Sequence, residues 1–183
     1  MKELLREARA ACDHNMWYSA ISLSLILPDI CCKVEKGLNP IGETSGEDYK
    51  KWVKDHVHFE KKDLLRDFVD DDWLWSLRCR VLHTGSSFDI KMKNSDLLLE
   101  VYLPDNKEEQ PFYFIHYKSF SKDHNRINHM LMVSAPSLCN CIIDAAEKFY
   151  DEWEKKEDFD MFSIKVREID ESEMKDILKV QES

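Results

Sequence analysis

The chain has 183 residues, 43% of them hydrophobic and 11% aromatic, enough for one sizeable core and short for two domains. A formal net charge of -10 excludes a generic polyanion binder, because unselective nucleic-acid affinity comes from Lys and Arg neutralising phosphates, so any such contact has to be local. Only 4 Gly and 5 Pro disfavour a sheet-rich or loop-rich fold and point to helices with short connections.

Residues 2–13 read as a charged amphipathic helix with no continuous apolar run, which is unlike a signal peptide. The following stretch, NMWYSAISLSLILPDICCKVEKG, is apolar on almost every face and marks a central helix, with a kink expected at Pro28. Asn15, Ser19, Ser22 and Asp29 recur at helical spacing along one stripe of it, and polar groups on a buried stripe need partners. No segment approaches ~20 uninterrupted apolar residues, so no membrane span and a cytoplasmic setting are expected.

A turn-rich loop, GLNPIGETSGED, ends in a cap at Ser45 and leads into a short helix, DYKKWVKDHVHF. Lys61 to Thr84 read as one further helix, with Gly85 placed for a left-handed C-cap. The period then changes. DLLLEVYL and FYFIHYKSF flank the polar turn PDNKEEQP and read as a β-hairpin inserted between helices, over about 96–120. His124, Asn125, Arg126, Asn128 and His129 follow as a polar cluster, better read as a solvated loop than as an RNA contact. The last strong helix, SAPSLCNCIIDAAEKFYDEWEKK, has Ser134 as its cap and Pro136 in its first turn. The expected organisation is a mainly α, helical-bundle domain over 1–157 and an extension over 158–183, in which MFSIKVREI suggests a strand and ESEMKDILKVQ a helix.

Six cysteines, Cys12, Cys31, Cys32, Cys79, Cys139 and Cys141, contain no C-x-x-C pair, and most lie in apolar helical patterns where a free thiol acts as a small hydrophobe. Neither they nor the histidines have ligand spacing, so no metal or cofactor is expected.

The helix ending LWSLRCRVLHTG carries Arg78 and His83 among bulky apolar residues. At about 100° per residue, Leu64, Phe68, Trp75, Cys79 and Leu82 share one stripe, with Arg78 and His83 on either side of it, ~140° apart. Trp73, Leu74, Leu77 and Val81 cover much of the opposite side, so protein encloses this helix end on two fronts, one of which suits another subunit. A guanidinium in apolar surroundings offers a rigid donor fork to phosphate oxygens, and an imidazole exchanges protons near neutrality. Together they form the minimum kit for metal-free RNA cleavage by the substrate's own 2′-hydroxyl. The competing reading is a structural ion pair and a histidine at a helix end. Arg80 is the weakest candidate, better read as reaching solvent or a surface carboxylate.

A mostly helical chain of this size, with Arg78, then CRVL, then His83 at the end of a central helix before Gly85, and a long apolar helix around LILPDICC, resembles the HEPN superfamily over roughly residues 1–155. That resemblance implies an α-helical bundle with the hairpin as an insertion. It also implies a metal-independent endoribonuclease that leaves 2′,3′-cyclic phosphate ends, in a toxin or anti-phage role. The active site would be shared by two subunits of a homodimer, with Arg78 holding the phosphate and His83 moving the proton. RNA and an antitoxin or defence-system protein would be the partners, with no membrane involved. Cys79 departs from the family pattern, where a polar residue often follows the arginine. Gly85 stands where members modified by a nucleotidyltransferase antitoxin carry tyrosine. Asp29 and Ser22 are the supporting candidates, because a buried carboxylate would orient the Arg78 fork. The alternatives are a catalytically silent HEPN-like module for assembly or nucleotide binding, and a metal-binding regulator built from cysteines and histidines.

Overall fold

The computed structural model describes residues 1–37, 42, 44–58, 70–85, 90–91, 97–103, 112–121 and 124–162. The fold is mainly helical. Helices α1 (Lys2–Asp13), α2 (Trp17–Glu35), α3 (Gly46–His56) and α4 (Asp71–Thr84) precede the strands β1 (Ile90–Lys91), β2 (Leu97–Tyr102), β3 (Phe112–Ser121) and β4 (His124–Ser134). Helix α5 (Ala135–Glu152) and a 3₁₀ turn (Lys156–Phe162) follow.

Helix α2 is the centre. Ala20, Ser24, Leu25, Leu27, Ile30, Cys31, Cys32 and Val34 are buried, and α1, α3, α4, α5 and the 3₁₀ turn all pack on it. Helical geometry persists through Pro28, which sits inside the continuous element. Among the described residues α2 is also the one helix long and apolar enough, by length and composition, to cross a membrane; half of that window is buried within the bundle. Ser24 satisfies its hydroxyl on its own helix, donating to the Ala20 carbonyl at 2.6 Å. The expected polar stripe begins later than its spacing suggested. Asn15 lies in the α1–α2 turn with a φ of 57°, a left-handed conformation that Asn tolerates, and Ser19 is exposed. Only Ser22 and Asp29 face the interior, each half-buried.

Helix α1 buries Leu5, Ala8, Ala11 and Cys12 on one face and clamps α5 with Arg9. That guanidinium bonds Glu147 through Nε at 3.2 Å and Nη2 at 2.7 Å, Asn140 through Nη1 at 2.9 Å, and Asp144. On α5, Leu138, Cys139, Ile142, Ile143, Ala146 and Phe149 form the facing apolar stripe. Phe159 of the 3₁₀ turn is buried against Phe149 and Tyr150.

The helix termini follow local chemistry. Ser45 caps α3 in a reciprocal box: its hydroxyl accepts from Asp48 N at 3.2 Å, and Asp48 Oδ2 accepts from Ser45 N at 3.0 Å. Ser45→Ala removes one acceptor and unseats the other, so a loss of about 1 kcal/mol is expected. In a thermal melt this reads as a fall of roughly 2–4 °C; an unchanged melt shows that water replaces the cap. Ser134 caps α5, accepting from Ser137 N at 3.4 Å, and Gly85 ends α4 with a φ of 65°, where a Cβ would be strained.

Two expectations are corrected. The helix carrying Arg78 begins at Asp71, because Asp70 is extended and its carboxylate accepts from Trp73 N at 2.7 Å as an N-cap. Leu64 and Phe68, expected on the same stripe, lie outside the described residues, as does the chain beyond 162. The strands do not form an isolated hairpin over 96–120. They build a four-stranded sheet in the order β1-β2-β4-β3, in which β4 pairs in parallel with β2 (Leu97↔His129 to Tyr102↔Ser134) and antiparallel with β3 (Phe112↔Val133 to Ser121↔His124). The cluster His124, Asn125, Arg126, Asn128 and His129 is thus part of a central strand, not a loop. Ladder pairing with β3, joined by β2 from His129 onward, outweighs the polar side chains, which favour a turn only when the backbone has no other partner.

Candidate functional site

Helix α4 buries Trp73, Leu74 and Leu77, with Val81 partly buried, against the bundle. Trp75, Arg78, Cys79 and Leu82 are half-buried along its flank, and His83 is exposed in its last turn. The two apolar faces expected of this helix end are therefore distinct: one closes the monomer's core, and the other lies along its edge.

The floor beneath Arg78 is built by α3 and α2. Gly46, the first residue of α3, passes so close to Trp75 that an added Cβ would lie 2.8 Å from the indole Cε2. Only glycine admits that approach. Tyr49, fully buried, meets the same indole at 5.3 Å between ring centres and donates its hydroxyl to the Leu25 carbonyl at 3.3 Å. Burial pushes its phenol well above the usual range, and the nearby Asp29 charge adds to this.

Arg78 lies over Trp75, 5.2 Å from the ring centre, and its Nε donates to Asp29 Oδ2 at 2.9 Å. The expected carboxylate partner is therefore in place, one side chain 14% and the other 22% exposed. Burial works against the Arg78 charge, but Asp29 outweighs it and the guanidinium is held above its ordinary value. For Asp29 burial dominates: it raises the carboxyl, and the pull of Arg78 and then of Lys33 does not cancel the rise. The pair therefore costs something to keep ionised, as partly buried pairs do. Cys79, the next residue along α4, adds a smaller upward push to the Arg78 guanidinium. Asp29 engages only Nε; among the described residues neither Nη group has an oxygen acceptor.

Two contacts fix α2 and α4 antiparallel. Asp29 meets Arg78, and at the other end Tyr18 donates its hydroxyl to the Gly85 carbonyl at 2.9 Å. Ser22 lies on α2 between these levels, and no hydrogen bond joins it to Arg78 or His83 among the described residues. His83 likewise has no hydrogen-bond partner among them. Arg80 is exposed and keeps partners of its own. Tyr18 was not signalled by any spacing; the sign available was an aromatic with a polar tip near the start of a helix otherwise apolar all round.

All six cysteines are free, and among the described residues no group of three or more His, Cys, Asp or Glu side chains is arranged to hold a metal ion. No family model matches the chain, and no curated protein or solved structure was found to match it. The site is thus defined by its own geometry: a guanidinium braced at Nε, with no oxygen acceptor on its outer edge among the described residues, and an exposed imidazole five residues on.

Proposed function

We propose that the protein is a metal-independent endoribonuclease of HEPN type, acting in the cytoplasm as a homodimer in a toxin or anti-phage role. The supporting observation is the state of Arg78. Asp29 and Trp75 hold its Nε edge and its face, while the Nη edge keeps donors for a phosphodiester, in the helix whose last turn carries the exposed His83. In the reaction His83 handles a proton while the substrate's 2′-oxygen attacks the adjacent phosphorus. The bond from phosphorus to the 5′-oxygen breaks, the proton lost by the 2′-hydroxyl is balanced by one gained by the leaving oxygen, and a 2′,3′-cyclic phosphate remains. Arg78 offsets the charge that builds on the phosphoryl oxygens.

One observation favours a second reading. Arg78 already has a partly buried carboxylate partner, as expected of a scaffold ion pair in a catalytically silent assembly module. Cleavage in the presence of chelator separates the two: RNA cut in EDTA into 2′,3′-cyclic ends, with DNA resistant, supports the nuclease, and loss in EDTA restored by magnesium removes the mechanism. Co-expressed, differently tagged Arg78→Gln and His83→Ala chains test the shared site. Glutamine can still donate to Asp29, so it costs the fold less than alanine would while the fork is lost. A mixed dimer that cuts RNA while both parent homodimers stay silent places the arginine and histidine of one site on different subunits. A stable but silent mixed dimer, or an active monomer, argues against a site divided in this way.

A further inference from the structure

Tyr18 is 74% exposed, although the helix it begins is otherwise the centre of the core. It does not hang free in solvent. Its hydroxyl is tied to the Gly85 carbonyl, two residues beyond His83, so the ring is fixed at its backbone and at its tip. The ring walls a shallow, open pocket lined, among the described residues, also by Ile21, Val81 and Gly85. Met16, two residues before it, is 50% exposed. On α4, Val81 lies one turn beyond Arg78 and about 60° around the helix from it, and Gly85 lies about 10 Å along the axis from Arg78. That is the scale of one nucleotide, from phosphate to the far edge of its base.

We propose that Tyr18 is a stacking platform for an unpaired base of single-stranded RNA, next to the phosphate held by Arg78. This rests on the ribonuclease reading and adds the kind of RNA the site takes. Three features carry it. A planar aromatic face is open to solvent, it is held rigid so that little freedom is lost on stacking, and its floor is apolar. The tethered hydroxyl is already committed to Gly85, so the platform recognises the flat face of a base and not its hydrogen-bonding edge. Base preference at this position is accordingly weak, and a base locked in a duplex is excluded.

The test uses short single-stranded oligoribonucleotides, 2′-O-methylated throughout so that no attacking hydroxyl is present, with an abasic site moved along the chain one position at a time. For the wild-type protein one abasic position should weaken binding by about tenfold, the size of a single base-aromatic stack. Tyr18→Leu keeps the apolar bulk and removes the π face; it should weaken binding of the intact oligonucleotide to the same extent and become indifferent to that abasic position. Tyr18→Phe, which loses only the tether, should stay sensitive to it. No binding by the wild type overturns the inference, as does a Tyr18→Leu protein that remains sensitive to the same abasic position. Unmodified RNA separates the underlying reading: binding and the abasic pattern without any cleavage sinks the nuclease and leaves the platform standing, whereas cleavage that Tyr18→Leu leaves unchanged sinks the platform alone.

Discussion

His83→Ala should lower RNA cleavage by about 10²–10⁴-fold, the usual contribution of a positioned acid or base. The fold should hardly notice. His83 is exposed in the last turn of α4, has no hydrogen-bond partner among the described residues, and is followed by a left-handed cap that belongs to Gly85. Cleavage of a defined RNA and a thermal melt, measured on one preparation, check both halves. A variant within a few-fold of wild type shows that protons move without His83, and the R-x4-H reading then fails even if the protein cuts RNA. A variant that is inactive because it is unfolded would contradict the exposed, unpartnered position.

How far the sequence reached depended on the range of the interactions involved. Ser45, Ser134 and Gly85 could be read from neighbours one to four residues away, because capping is a local match of a side chain or a φ to orphaned backbone groups, and all three do what the pattern required. Asp29 was legible for a different reason: a carboxylate on a buried stripe needs a cation, and Arg78 was the cation set among apolar residues. The sheet was not legible. β2 pairs in parallel with β4 across the whole of β3, and no turn signal records a pairing of that kind. The run Met130 to Val133, four apolar residues ahead of the Ser134 cap, was the sign of a central strand, hidden behind the polar residues that open it. Tyr18 was missed because its role depends on α2 lying antiparallel to α4, a tertiary fact absent from the helical wheel of either.

Arg78→Ala should behave quite differently from His83→Ala, because Arg78 also has a structural task. Removing it leaves Asp29 without its guanidinium in a site where the carboxylate side chain is only 14% exposed. Breaking a fully buried pair from one side costs about 3–5 kcal/mol; with an edge of each group in solvent, roughly 2–4 kcal/mol is expected. That corresponds to a fall in melting temperature of about 5–15 °C. The loss should depend on pH in a definite direction. Asp29 is already raised by burial, with Arg78 the main group pulling it down, so without Arg78 it rises further. A carboxyl raised in the folded state contributes fully at pH below its unfolded value near 3.9 and loses that contribution as pH climbs through the folded value. The gap between Arg78→Ala and wild type should therefore be widest at neutral pH and narrow as the buffer is acidified toward the ordinary carboxylate range. Asp29→Asn in the Arg78→Ala background removes the stranded charge, so it should recover most of the lost stability at pH 7, flatten the pH dependence and restore no cleavage. Melts of the three proteins across pH 4 to 8 decide the matter. A gap that stays constant with pH, or an Asp29→Asn change that rescues nothing, would show that the arginine supports the fold through its stacking on Trp75 and not through Asp29. If the double variant is stable yet inactive, the anchoring of Arg78 and its phosphate-holding role are separated on one side chain: Asp29 serves the first, and the outer edge of the guanidinium serves the second.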